Sequence, residues 1–325
     1  MENTQITIEE KLGFFNLLNK ALTLPLKNPH FILFSIIASA PLFCFTFTSE
    51  TIFQKAFIET AKIISEAPPP PLECFHCFGI TFLAVFRRGL VLGLVKKLLE
   101  RASFTYLLMV IFSQVILNFL DFIAATAIVD SSSLIFEAKS TMNLKHMLQR
   151  LAKETRFKGP LITSITVFLL ASLFAFGLFS LATYAIVSSL FGFPMALFGF
   201  LLVPLSAKFI EWSAIWNMGI VISVVEEKRQ GDVALFIASY LSRGNRKHGF
   251  LLALVFFIWM VVLRVSCLYL RSLVGGSGMV ILAAYASLVC FGNVMKWVVF
   301  VAYYYNCKRR GQEKSGVVEE SHAIA

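Results

Sequence analysis

From Leu161 to Val225 the chain is apolar almost without interruption, and only Lys208 and Glu211 carry charge within it. As one helix this run would rise roughly 98 Å, about three times the ~30 Å hydrocarbon core of a bilayer. It must therefore turn back once, and Gly192-Phe193-Pro194 supplies the corner. A folded soluble domain cannot hide such a segment, so a lipid-embedded helical hairpin is the fold it permits.

Composition extends that reading to the whole chain. Of 325 residues, 58% are hydrophobic and 15% are charged, against about 25% charged in soluble domains. The mean hydropathy is +0.77. The predicted class is all-α: a polytopic membrane protein with six transmembrane helices and additional amphipathic interfacial helices. The spans are 31–48, 104–129, 161–190, 195–225, 249–270 and 279–305. No cleavable leader is expected, because the first apolar run starts only at Phe31 and lacks an A-x-A-like exit.

Loops 130–159 and 226–248 are basic, those after spans three and five carry no Lys or Arg once Arg271 is assigned to the end of span five, and loop 49–103 is long and mixed in charge. Residues 1–30 form a cytoplasmic amphipathic segment, with Ile8, Leu12, Phe15, Leu18 and Leu22 at helical spacing. It lies either on the membrane surface or against the bundle. Loop 49–103 holds a polar helix, the stiff run Pro68–Pro71 and an apolar stretch, 78–99. Arg87-Arg88 make the last of these an interfacial helix and not a crossing. Leu144, Met147, Leu148 and Leu151 share one face of a basic surface helix before span three. Residues 306–325 are expected to be a disordered cytoplasmic tail.

The formal net charge of +10 could suggest nucleic acid. Its Lys and Arg lie between hydrophobic spans, however, so anionic lipid at cytoplasmic basic loops is the expected partner. Six spans put both termini and the loops 130–159 and 226–248 on one side. The positive-inside rule makes that side cytoplasmic.

Three spans carry polar pairs three residues apart, which places each pair on one helix face: Asn118 with Asp121, Lys208 with Glu211, and Asn293 with Lys296. Measured from the outer helix ends at ~1.5 Å per residue, Asp121 lies ~26 Å in, Lys208 ~20 Å and Lys296 ~26 Å. The expectation is one layer in the cytoplasmic half, with Asp121 and Glu211 facing Lys208 or Lys296. Such a layer serves either as an intramembrane solute site or as hydrogen bonding that matches helix faces. Arg264 and Arg271 are expected to snorkel. Trp212, Trp216, Trp297 and Tyr303-Tyr304-Tyr305 read as interfacial aromatics.

Cys307 beside Lys308-Arg309-Arg310 is a possible lipidation site. Cys74 and Cys77 have C-x-x-C spacing but no second ligand pair, so no metal is expected. No cofactor is expected either. P-loop, H-E-x-x-H and G-x-S-x-G motifs are absent, and catalysis has no motif to rest on.

Residues Ala124–Val129, the basic helix leading into Gly159-Pro160-Leu161, Val224-Val225-Glu226-Glu227 and Tyr303–Lys308 together resemble a plant family of six-span membrane proteins of roughly this length. Val129-Asp130 stands where that family often has Val-Tyr. The resemblance covers the chain from about Phe104 onward. It implies a polytopic helical fold and an endomembrane or plasma-membrane address, and it brings no catalytic residues. The expected function is a non-enzymatic structural, trafficking or adaptor component of a plant membrane. The alternative is a small-solute carrier or channel built on the intramembrane polar pairs.

Overall fold

The computed structural model describes residues 14–65, 104–138, 145, 147, 157–189, 195–226, 228–274 and 278–324. The interfacial stretch 78–99, the proline run, Cys74, Cys77 and Gly192-Phe193-Pro194 lie outside the described residues. Among those described, helices are the only regular structure. They are α1 (Phe14–Lys27), α2 (Pro29–Ser65), α3 (Phe104–Ala138), α4 (Lys158–Ser189), α5 (Met195–Val225), α6 (Asp232–Ser242), α7 (Arg246–Val274) and α8 (Met279–Ile324). Six of them, α2 to α5, α7 and α8, are long and apolar enough to cross a membrane. The architecture is all-α and polytopic.

Local chemistry sets the first boundary. Asn28 caps α2, its Oδ1 accepting from the Phe31 N–H at 3.4 Å, and Pro29 fills the first helical position. Beyond Thr48 the same helix continues unbroken to Ser65, so Glu50 belongs to the span and not to a separate loop helix. Similarly, α3 passes Val129 and runs to Ala138. The tail is helical as far as Ile324 where disorder was expected; Lys, Glu and Gln are good helix formers and simply extend α8.

The centre of the bundle is α8. It packs against α1, α2, α3, α5, α6 and α7. Every residue from Trp297 to Tyr304 is buried, which is possible only for a helix covered on all sides. The stretch Ala124-Ala125-Thr126-Ala127 of α3 is buried in this core, its small side chains letting helix backbones approach closely. By contrast, α4 has none of its most apolar window buried, although its hydropathy exceeds that of α8. Lipid tails are as apolar as leucine, so a strongly hydrophobic helix gains nothing by leaving them.

Aromatic rings join α4 to α5. Phe174 lies 5.4 Å from both Phe209 and Trp212, and Trp216 completes the group 6.2 Å from Trp212. Trp216 and Trp297 are therefore packing residues, not a belt at the membrane surface; Trp297 is 2% exposed. The start of α4 is tied to the α5–α6 connection at Gly231, whose N–H donates to Thr163 Oγ1 at 2.8 Å. Gly231 has φ +57°, a left-handed conformation that a side chain would strain.

The amphipathic N-terminal helix packs on α8 and α2. It buries Leu17 and Ala21 there, while Phe15 and Leu22 point outward. The bundle-facing option thus holds for the described part of the segment. In the predicted basic surface helix, Met147 is buried and Lys145 exposed, which matches its expected inward face.

The three consecutive tyrosines also depart from the expected membrane-surface role. Each phenol fixes a different partner. Tyr303 donates to the Asn245 carbonyl at 3.1 Å, Tyr304 to Glu226 Oε1 at 2.5 Å, and Tyr305 to Glu137 Oε1 at 2.9 Å. Successive residues point about 100° apart around a helix, so one short segment of α8 locks the ends of α3 and α5 and the α6–α7 turn. Lys308 reaches the same Glu226 oxygen at 2.8 Å, and Arg229 approaches its other oxygen at 2.9 Å. Burial alone would raise the Glu226 carboxyl pKa. The Lys308 and Tyr304 hydrogen bonds, with the charges of Lys308 and Arg229, outweigh it and hold the value below the usual carboxylate range.

Candidate functional site

Four spans, α2, α3, α7 and α8, line an open cavity of about 430 Å³. Its walls alternate between apolar residues and polar groups. At one end α3 contributes Asp121, and α8 contributes Asn293 and Lys296. Asn293 Nδ2 donates to Asp121 Oδ1 at 2.5 Å, and Lys296 Nζ stands 4.0 Å from Asp121 Oδ2. Asn118, one turn away on α3, lines the same wall while its amide donates to the Gln114 carbonyl at 2.7 Å.

At the other end Arg264 of α7 pairs with Glu50 of α2 at 3.1 Å and covers the Phe53 ring at 5.1 Å. One turn further along α2, the Gln54 carbonyl oxygen accepts from Arg271, and its amide meets the buried Cys267. The two arginines therefore bind acceptors on a neighbouring helix instead of reaching singly for the surface. Tyr285 lines the cavity near this end, and Lys296 lies eleven residues further along α8, roughly 16 Å away by helical rise. The cavity thus has two polar stations of opposite paired charges with apolar wall between them.

Trp259 of α7 crosses that apolar wall. Its indole lies directly over Gly292, where an added Cβ would sit 2.5 Å from Nε1. Only glycine lets the ring cross α8 at this height. Because Gly292 directly precedes Asn293, the ring also borders the Asp121 station.

The predicted single layer is two layers. Asn118, Asp121, Asn293 and Lys296 come together. Lys208 and Glu211 do not join them. Lys208 pairs with Glu211 on its own helix at 2.7 Å, and Glu211 then faces Arg246 at the start of α7 at 3.7 Å. Glu211 borders a small recess with Gly249 and Tyr303. Tyr303 is seven residues beyond Lys296, so this layer lies ~10 Å further along α8. Depths measured from each helix's own end assumed a common starting plane, which tilted and staggered helices do not share.

Cys307, the expected lipidation position, is 2% exposed, and the Asn245 amide contacts its sulfur at 3.7 Å. In this fold the thiol is not presented for acylation. The described residues contain no group of three or more His, Cys, Asp or Glu side chains placed to hold a metal.

Sequence reading missed Glu50, Trp259 and Gly292. A signal for Glu50 existed: Arg264 and Arg271 recur on one face of α7, and Glu50 and Gln54 recur on one face of α2. Ending the first span at Thr48 hid the match. Gly292 and Trp259 gave no signal, since only the helix crossing brings them together.

The chain matches no protein-family model, no curated protein and no solved structure. Its function is therefore argued from the cavity itself.

Proposed function

We propose that this multi-pass membrane protein is a non-enzymatic carrier or channel for a small solute of a plant endomembrane or plasma membrane, the address its family resemblance implies. One observation carries the reading: ionisable groups from four spans line an open intramembrane cavity and do not seal it. Ionisable groups at this depth are costly and serve function by default. A purely helix-matching role needs closely packed partners, whereas Asp121 and Lys296 border a cavity of about 430 Å³. Each station pairs one acid with one base, so the fitting solute is polar and carries no net charge, a zwitterion or a polyol. The exposed basic residues Lys228, Arg229, Arg243, Arg246 and Lys247 at the helix ends opposite Arg271 support a reading with both termini in the cytosol.

The test is uptake by the full chain in proteoliposomes, using labelled neutral amino acids and sugars as the panel. Uptake of one class that Asp121→Asn abolishes supports the proposal. Equal signals from wild type, D121N and empty liposomes overturn it.

A structural, trafficking or adaptor role is favoured by one feature of its own. Lys228, Arg229, Arg243, Arg246 and Lys247 are exposed together around the α5–α6 and α6–α7 connections. Such a cluster attracts anionic lipid at about 1 kcal/mol per basic residue. Charge reversal at Arg243 and Lys247 should release co-purifying anionic lipid; unchanged retention would remove this reading.

A further inference from the structure

We infer that the solute of the central cavity is a peptide of two or three residues held at both ends, its ammonium at Asp121 and its carboxylate at Arg264. This rests on the solute-site reading above and adds which member of each ion pair faces the space. At one end the acid is the more accessible partner: the Asp121 side chain is 35% exposed and that of Lys296 23%. The Lys296 ammonium sits 4.4 Å over the Trp297 ring. It stands 4.0 Å from Asp121 Oδ2, beyond hydrogen-bond length. Asn293 occupies the other carboxylate oxygen, so Oδ2 keeps acceptor capacity for an incoming ammonium. At the other end the order is reversed. The Arg264 side chain is 47% exposed, while its partner Glu50 is covered at 13%. Only one guanidinium nitrogen meets Glu50, and the group carries five N–H donors in a fork that suits a carboxylate. The cavity thus offers an acid at one end and a base at the other.

Length then selects among dipolar solutes. Tyr285, near the Arg264 end, and Asn293, bonded to Asp121, are separated by roughly 12 Å of helical rise on α8, and Tyr285 and Lys296 by roughly 16 Å. An extended chain covers at most about 3.5 Å per residue, and a hydrogen bond at each end adds about 2.9 Å. A free amino acid therefore bridges only about 9 Å, two residues about 13 Å and three about 16 Å. The walls between the ends suit a peptide as well. Gln114 and Asn118 line the cavity on the face of α3 that carries Asp121. They set side-chain amides along the path of a backbone whose N–H and C=O groups need partners away from water. Phe256, Trp259 and Met260 of α7 and Val289 of α8 give apolar surface to the peptide's side chains. A polyol has no charges for the two ends, and a diamine or dicarboxylate meets the wrong sign at one of them.

The test is calorimetric titration of the full chain in phosphatidylcholine nanodiscs with alanine, dialanine, trialanine, N-acetyl-trialanine and trialanine amide. Dialanine and trialanine should bind saturably. Blocking either end of trialanine should weaken binding about ten- to hundredfold, the usual weight of a hydrogen bond to a charged group, and alanine should bind more weakly by a similar factor. Asp121→Asn should weaken trialanine by that factor and leave N-acetyl-trialanine unchanged. Arg264→Gln should weaken trialanine likewise and leave the amide unchanged. If neither variant folds, the blocked peptides on the wild-type chain decide. Alanine binding as tightly as trialanine, indifference to blocking at either end, or no saturable peptide binding would overturn the inference. The two readings separate in proteoliposomes. Uptake of an amino acid or sugar that D121N abolishes, without peptide binding, removes the peptide and leaves the carrier. Peptide binding without uptake of any solute, trialanine included, leaves the peptide site and removes the carrier.

Discussion

Asn293 of α8 donates to the Asp121 carboxylate of α3 at 2.5 Å, joining two helices at the edge of the central cavity. Lys296 completes the group at 4.0 Å. Removing the acceptor strands an amide and an ammonium in a partly buried site. Asp121→Ala should therefore lower stability by about 1–3 kcal/mol. Asp121→Asn should cost less, since it keeps an acceptor for Asn293 but loses the charge. Thermal unfolding in detergent measures both. A variant as stable as wild type in the alanine case would show that the contact carries no weight.

If the cavity is wet, a thiol placed in its wall will meet aqueous reagents. In a background lacking the native cysteines, Asn118→Cys should react with a membrane-impermeant maleimide. Ala125→Cys, buried on the same helix among α3 core residues, should not. Equal protection at both positions would mean a dry cavity.

Gly292 makes room for the Trp259 ring, and a methyl group there must displace it. Gly292→Ala should destabilise by about 1–3 kcal/mol, the usual range for overpacking. Adding Trp259→Phe, with its smaller ring, should recover part of that loss. Additive losses in the double variant would show that the two positions are not coupled.

The Glu226 carboxyl gives the fold an acid-sensitive bond. Folding lowers its pKa, so its contribution is complete above the ordinary carboxylate range and disappears as pH falls through the lowered folded value. Glu226→Gln should reduce the melting temperature near neutral pH, at a cost of about 1–3 kcal/mol. It should also flatten the decline seen in acid. A wild-type curve with the same acid limb as E226Q would rule this carboxyl out as its origin.

Acyl-exchange labelling of the folded chain should find no fatty acyl group on Cys307, whose sulfur is enclosed beside Asn245. Stoichiometric acylation there would require the α8 segment to open.

The fold was legible wherever it depends on hydrophobicity and length. The run Leu161–Val225 announced a hairpin, Asn28-Pro29 marked the start of α2, and the pairs at 118/121 and 293/296 did meet. What the sequence could not supply was relative height. Lys208 and Glu211 have the same spacing and similar nominal depth as the other pairs, yet Lys208 pairs with Glu211 and Glu211 faces Arg246, not Asp121 or Lys296. Hydropathy also misled about the centre. In a bilayer it measures preference for lipid, so α4, at a hydropathy of 2.3 against 1.6 for α8, is the least covered of the six spans. The buried core at Trp297–Tyr304 is marked instead by polar tips: Tyr303, Tyr304 and Tyr305 each reach a partner fixed only by tertiary packing.

That α8 is the hub yet follows α1 to α7 in chain order has a consequence for biosynthesis. A ribosome delivers α1 through α7 to the membrane before their common partner exists. Until then Asp121, Glu226 and Glu137 wait without the donors that α8 brings. Newly inserted chains should be most vulnerable to membrane proteases and most dependent on chaperones in that interval. Nonsense mutations that remove α8 but leave α1 to α7 should leave no stable product.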